Sequence, residues 1–110
     1  MGISKFNRHQ FEITVTRFAK LEEVNDETPY EIKAVYIATG NYGDRAVAIV
    51  NIDGENVGLN LPEHLTATAR DILASPDIVE EIKEGKAALQ VRPYNKDGRT
   101  FYTVNWVDLV

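Results

Sequence analysis

An Asp-Gly dipeptide at residues 53–54 constrains this chain more than any other local feature. It separates two apolar, strand-like runs, residues 45–52 and 55–61. Asp-Gly between such runs is the usual sequence of a two-residue β-hairpin turn. A second turn sequence, residues 95–99, divides the strand-like segment 87–107 in the same way. The chain therefore contains at least two antiparallel strand pairs.

Two earlier segments also have the composition of strands. Phe11–Thr16 alternates apolar and polar residues, and we expect this strand to continue to Leu21. Tyr30–Thr39 is rich in β-branched and aromatic residues. Residues 1–10 have no clear period, and we expect them to form a flexible N-terminal arm.

The hydrophobic period changes from that of a strand to that of a helix after Pro62. Leu65, Ala69 and Ile72 share one face of a helix. The dipeptide Ser75-Pro76 predicts the end of this helix and the start of another, with the serine as N-cap and the proline in the first turn. Gly85 is typical of a residue that follows a helix.

These elements predict one α+β domain over residues 1–110. The order of strands and helices favours a mostly antiparallel β-sheet or a small OB-like barrel, with a helical insertion at about residues 62–85 before a C-terminal β-hairpin. The predicted core is Phe11, Ile13, Val15, Ile32, Ala34, Val47, Ile49, Leu59, Leu65, Ile72, Leu73, Ile82, Leu89, Val91, Val104 and Trp106.

Composition excludes several classes of function. The chain has no cysteine, which removes thiol catalysis, disulfides and cysteine-ligated metals and fits a cytoplasmic protein. No apolar run is long enough to cross a membrane. The two histidines, His9 and His64, have no metal-ligand spacing, and Ser75 has no nucleophile elbow around it. We therefore predict a protein without enzymatic activity, cofactor, metal or small-molecule substrate.

Aromatic and basic residues alternate in the C-terminal hairpin, and a tyrosine lies in the turn before Arg45. Aromatic faces stack on bases while cations contact phosphates, so this pattern predicts single-stranded nucleic-acid binding. Burial of the same tyrosines in the sheet is the competing interpretation. The candidate binding residues are Tyr42, Arg45, Arg92, Tyr94, Lys96, Arg99 and Phe101.

The net charge of −5 argues against general attraction to nucleic acid and supports an alternative. Carboxylates concentrate in one loop and one helical segment, which would suit an acidic DNA mimic or another protein that binds a basic host protein. Self-association is left open by the sequence. The acidic candidates are Glu22, Glu23, Asp26, Glu27, Glu31, Asp77, Glu80, Glu81 and Glu84.

Three short motifs accompany these patterns: Tyr42-Gly43-Asp44-Arg45 before a strand, the Asp53-Gly54 turn, and Asn60-Leu61-Pro62 before a helix. Together with the C-terminal hairpin, they give residues 30–110 a pattern that resembles small accessory proteins of Gram-positive phages and conjugative elements. The resemblance implies either single-stranded DNA binding during replication or transfer, or inhibition of a host defence protein such as a nuclease. It implies no catalytic or ligand residue.

Overall fold

The computed structural model describes residues 15–24, 27–40 and 43–109. It has a mixed α+β architecture, in which a curled, half-barrel sheet of six strands carries two short helices. The strands are β1 (Arg17–Lys20), β2 (Tyr30–Gly40), β3 (Gly43–Ile52), β4 (Glu55–Asn60), β5 (Ala87–Lys96) and β6 (Arg99–Asp108). The helices are α1 (Thr66–Leu73) and α2 (Pro76–Lys83), and two 3-10 turns cover Leu21–Val24 and Glu63–Leu65.

Strands lie in the order β1-β4-β3-β2-β5-β6. The turn between β3 and β4 is formed by Asp53 and Gly54, which both have positive φ angles, 51° and 86°. Asp97 and Gly98 form the β5–β6 turn in the same way, with φ angles of 53° and 74°. Two positive φ values in succession define the hairpin turn expected for Asp-Gly, so both sequence-predicted hairpins are present.

The first strand differs from the sequence prediction. β1 covers only Arg17–Lys20 and pairs in parallel with β4, and a 3-10 turn begins at Leu21. The backbone N–H of Lys20 donates to Glu23 Oε2 at 2.7 Å, which helps to end the strand there. Phe11 and Ile13, the predicted start of this strand, lie outside the described residues.

Helix α2 begins at Pro76 and ends before Gly85, as the sequence predicts, but Ser75 does not cap it through its side chain. Pro76 is the first helical residue, and Gly85 follows the helix with a φ of 75°. Backbone bonds from Gly85 to Ile82 and from Lys86 to Glu81 complete a Schellman cap. Ser75 occupies the N-cap position, yet its hydroxyl donates back to the carbonyl of Asp71 at 2.9 Å instead of capping α2.

The core lies between the concave face of the sheet and the two helices. Ile32, Leu59, Leu89 and Val91 are among its fully buried members. Leu73, a predicted core residue, is 41% exposed because α1 ends there and the chain turns into α2. Ala34, Trp106 and Val15, also predicted to be buried, are only half-buried.

Strand β5 pairs with β2 only over its first residues, through Tyr30–Leu89 and Glu31–Ala88. In contrast, β5 and β6 pair with each other along the whole of β5, from Ala87 to Lys96. Pro93 therefore lies in a part of β5 that has β6 as a neighbour but not β2. Proline is tolerated at such an edge, because its missing N–H leaves no hydrogen bond to a second strand unmade. The distal half of this hairpin projects beyond β2, and its side chains are exposed.

Candidate functional site

The distal half of the β5–β6 hairpin presents aromatic and basic side chains on one face. Arg92 pairs with Thr103, Tyr94 with Phe101, and Lys96 with Arg99. Residues paired across a ladder share a face, and this face alternates with the one that carries Val91 and Val104 into the core. Five of the sequence-predicted binding residues are therefore neighbours here: Arg92, Tyr94, Lys96, Arg99 and Phe101.

Tyr94 and Phe101 form a stacked pair at the centre of this face. Their ring centroids are 5.6 Å apart, and the ring planes are inclined by 26°. The two residues are 39% and 40% exposed, so they are not core residues. Each ring stabilises the other's orientation while leaving aromatic surface accessible to solvent. Such a pair offers a rigid apolar platform on the surface of the molecule.

This platform forms one wall of a groove of about 430 Å³. The opposite wall comes from the end of β1, the first 3-10 turn and the end of β4, so the groove lies between the two outer strands of the curled sheet. Its lining combines aromatic, basic and polar side chains: Lys20, Leu21, Glu22, Arg45, Asn60, Leu61, Pro62, His64, Tyr94, Thr100, Phe101 and Tyr102.

Arg45 is the sequence-predicted residue that the fold brings to the platform from elsewhere in the chain. It lies on β3 and lines the groove together with Tyr94 and Phe101. Its neighbour Asp44 is engaged: the carboxylate accepts hydrogen bonds from Arg70 of α1 and from Thr39. Because Arg70 offsets the charge of Asp44, the positive charge of Arg45 is less opposed at this end of the groove.

This surface carries most of the cations that lack an ion-pair partner among the described residues. Within residues 15–24, 27–40 and 43–109, no carboxylate lies within ion-pair distance of the five cations of the groove and hairpin. These five are Lys20, Arg45, Arg92, Lys96 and Arg99. Most cations elsewhere in these ranges do pair, as in Arg17–Glu55, Lys33–Glu31, Arg70–Asp44 and Lys86–Glu84. Lys83 on α2 is the exception. Among the described residues, the cations without an ion-pair partner therefore concentrate at the groove and on the adjoining hairpin face.

Several groove residues were not predicted from the sequence, among them Lys20, Asn60 and His64. Lys20 reaches the groove because β1 joins the sheet beside β4, and Asn60 ends β4 at the same place. His64 lies in the second 3-10 turn, and its Nε2 is 3.2 Å from the hydroxyl of Thr103 on β6. The sequence predicts a surface histidine here, and His64 is exposed. Only the curl of the sheet brings it to the hairpin, and no local sequence signal indicates that curl.

The predicted acidic surface is divided between two places. Glu22 lines the groove, and Glu23 accepts the backbone hydrogen bond from Lys20. Glu31 lies near the end of α2, where its carboxylate carbon would be 3.5 Å from a Cβ at residue 85. Four further carboxylates of the predicted set are exposed on or beside α2: Asp77, Glu80, Glu81 and Glu84.

Two predicted site residues, Tyr42 and Asp26, lie outside the described residues. Glu27 is described; it is exposed and has a positive φ of 58°, and its carbonyl accepts a hydrogen bond from Gln90 at 2.5 Å. This contact ties the loop before β2 to strand β5.

The described ranges contain no cluster of three or more metal-ligating side chains of the His, Cys, Asp and Glu types. None of the helices in these ranges has the length and hydropathy needed to cross a membrane. The features that characterise the groove are the stacked Tyr94–Phe101 pair and its cations.

Comparisons of the chain with protein-family models, with curated proteins and with solved structures found no match.

Proposed function

We propose that this chain is a non-enzymatic module that binds single-stranded nucleic acid through the groove and the adjoining hairpin face. The observation that carries the proposal is the exposed Tyr94–Phe101 pair, which lies among unpaired cations on one face of the hairpin. Proteins that hold single strands without reading their sequence combine aromatic platforms for the bases with basic side chains for the phosphates.

The aromatic pair supplies the base contacts in this proposal. A base that stacks on an exposed ring buries apolar surface on both partners, and each such contact is worth about 1–3 kcal/mol. Because Tyr94 and Phe101 already hold each other in place, little side-chain entropy is lost on binding. Every base has an aromatic face, so we expect little sequence preference.

The unpaired cations supply the phosphate contacts. Arg92, Lys96 and Arg99 flank the aromatic pair, and Lys20 and Arg45 line the groove beside it. Phosphate binding releases the counterions of the nucleic acid, so affinity falls as salt concentration rises. This local charge offsets the negative charge of the chain as a whole, because charges beyond about 10 Å are largely screened at 0.1 M salt.

An OB-like interpretation of the sheet supports the same surface. If β2 to β6 are counted as the five strands of such a barrel, the helices follow the third strand and the order β4-β3-β2-β5-β6 is the expected one. The two connections that flank the binding face of this fold are then the one between β2 and β3 and the β5–β6 turn. The acidic residues from Glu22 to Glu27 precede the first of these strands, and of these Glu22 lines the groove.

The acidic DNA mimic, with a basic host protein as its target, stays a prediction and is our second choice. It would be favoured by one continuous carboxylate surface. Instead, Glu22 lies in the groove and Glu31 lies near the end of α2. The phage or mobile-element origin suggested by the sequence pattern is likewise a prediction.

Fluorescence anisotropy tests the proposed function. A labelled, mixed-sequence DNA strand of about 15 nucleotides is titrated with the protein at low and moderate salt, with the matching duplex as control. We expect micromolar or tighter binding to the single strand, weaker binding to the duplex, and loss of affinity as salt rises. Absence of binding at low salt, where phosphate contacts are strongest, would refute the proposal.

A further inference from the structure

A second cavity, of about 330 Å³, lies where the two helices meet the start of β5 and the end of β6. It shares no lining residue with the groove. Its floor is apolar and includes Ile32 and Ile82, which are buried, and Trp106, which is half-buried. The volume is at the small end of the range for binding pockets and would accept a bulky apolar side chain.

The mouth of this cavity exposes apolar surface. Ile78, on the first turn of α2, lines the cavity and is 39% exposed. Leu109, which follows the lining residue Asp108, is equally exposed, and its backbone N–H donates to the carbonyl of Lys86 at 2.7 Å, which fixes the end of β6 close to the start of β5. Exposed apolar residues on or next to the lining of a concave surface are a feature of interaction sites.

Charge around the cavity is negative. Glu81 and Asp108 are among its lining residues, and no cation is. Lys86, just before the lining residue Ala87, is held by Glu84, with 2.8 Å between Nζ and Oε2. Its pKa is raised mainly by this hydrogen bond and the charge of Glu84, and less by Glu81. The lysine is thus already committed to a neighbouring carboxylate.

We propose that this cavity docks a segment of a partner protein that inserts a bulky apolar side chain and carries Lys or Arg on either side of it. The apolar floor selects the inserted side chain, and Glu81 and Asp108 select the flanking cations. A second copy of this chain fits less well. A symmetric contact across this face would bring each pair of carboxylates towards its own symmetry mate.

A short peptide serves as the probe. It is a fluorescein-labelled helix of about 12 residues with two leucines four positions apart and lysines around them. We expect saturable binding. Ile78→Ser should weaken it about fivefold because the inserted side chain loses apolar contact. Leu73→Ser is the matched control, since Leu73 is similarly exposed (41%) but does not line the cavity.

A second pair of variants tests whether peptide binding requires the negative charge beside the cavity. Glu81→Gln should weaken peptide binding about threefold at low salt, whereas Glu80→Gln, on the same helix but outside the lining, should change it less. A control peptide with serine in place of leucine should not bind measurably. Circular dichroism establishes that each variant is folded.

Three results would overturn the docking proposal: no saturable binding, equal effects of Ile78→Ser and Leu73→Ser, or equal binding of the leucine and serine peptides. A concentration-dependent dimer that Ile78→Ser abolishes, seen by sedimentation, would instead assign the cavity to a second copy of the chain. The docking proposal and the nucleic-acid proposal concern different residues, so either can fail without the other.

Discussion

The ring of Phe18 lies across Gly58. A Cβ atom at residue 58 would be 2.6 Å from both Cδ1 and Cε1 of that ring. The two residues are register partners in the parallel pairing of β1 with β4, and Phe18 is 57% exposed. An aromatic side chain that covers a cross-strand glycine compensates for the glycine's missing side chain. This contact therefore helps to hold the short edge strand β1, which carries Lys20 to the groove.

The Phe18–Gly58 contact predicts that the stability cost of a substitution at residue 58 depends on whether Phe18 is present. Gly58→Ala should lower the free energy of unfolding by about 1–2 kcal/mol, because the ring must move away from the new methyl group. In a Phe18→Ala background the same change should be neutral or stabilising, since alanine restricts the unfolded chain. Urea unfolding of the four proteins in this double-mutant cycle measures the difference. Equal costs in both backgrounds would contradict the packing described.

Removal of either platform ring should weaken DNA binding. Tyr94→Ala or Phe101→Ala should lower affinity for a single strand about tenfold, because one stacking surface is lost and its partner ring is no longer held. Leu73→Ala is the control, as it removes an apolar side chain of similar exposure (41%) that does not line the groove. Anisotropy titrations provide the measurement. A loss of affinity in the control as large as in the platform variants would count against the assigned site.

Removal of a hairpin cation should change the salt dependence as well as the affinity. For Arg99→Gln, the slope of log affinity against log salt should become shallower by about 0.7, the value for one lost phosphate contact on a single strand. Lys83→Gln removes the same charge from α2, where no DNA contact is proposed, and should leave the slope nearly unchanged. If the two variants have the same slope, the effect of Arg99 comes from net charge alone.

The β5–β6 turn should tolerate no side chain at Gly98. Its φ of 74° lies in the left-handed region, so Gly98→Ala should cost about 1 kcal/mol of stability. The strain falls between Lys96 and Arg99, so DNA affinity should decrease too. Gly40→Ala is the control, because the nearest atom to its added Cβ is 4.0 Å away and its φ is not positive. Thermal unfolding of both variants measures the cost, and a neutral Gly98→Ala would contradict the turn geometry.

Local sequence signals predicted the parts of this fold that short-range chemistry determines. Asp53-Gly54 and Asp97-Gly98 encode their own turns, because residues at these positions must adopt positive φ angles. Pro76 and Gly85 likewise mark the two ends of α2. Each signal acts within a few residues, so its structural result does not depend on the rest of the chain.

The partner of β1 could not be predicted in this way. Alternation of apolar and polar residues indicates which face is buried, but it carries no information about which strand lies alongside. Leu73 shows a similar limit, since its spacing matches the buried face of α1 but the helix ends before that position is covered. Long-range packing decides both outcomes.

The candidate site likewise has one part that local sequence patterns predict and one part that long-range packing determines. Alternation along β5 places Arg92, Tyr94 and Lys96 on one face, and the hairpin register adds Arg99 and Phe101. The opposite wall of the groove comes from β1 and β4 and from the 3-10 turns beside them. It depends on how the sheet curls, so the part played by Lys20 and His64 was visible only in the folded chain.

The most direct test of the central claim is an NMR titration of the ¹⁵N-labelled protein with a short oligothymidylate. The proposed function predicts that amide shifts concentrate on residues 92–102 and on the opposite wall of the groove, near Lys20, Arg45 and His64. Little change is expected on α2, and Tyr94→Ala should reduce the shifts at subsaturating oligonucleotide, in line with its weaker affinity. Unchanged spectra at low salt, or shifts confined to the helices, would contradict the assignment of this surface to single-stranded nucleic acid.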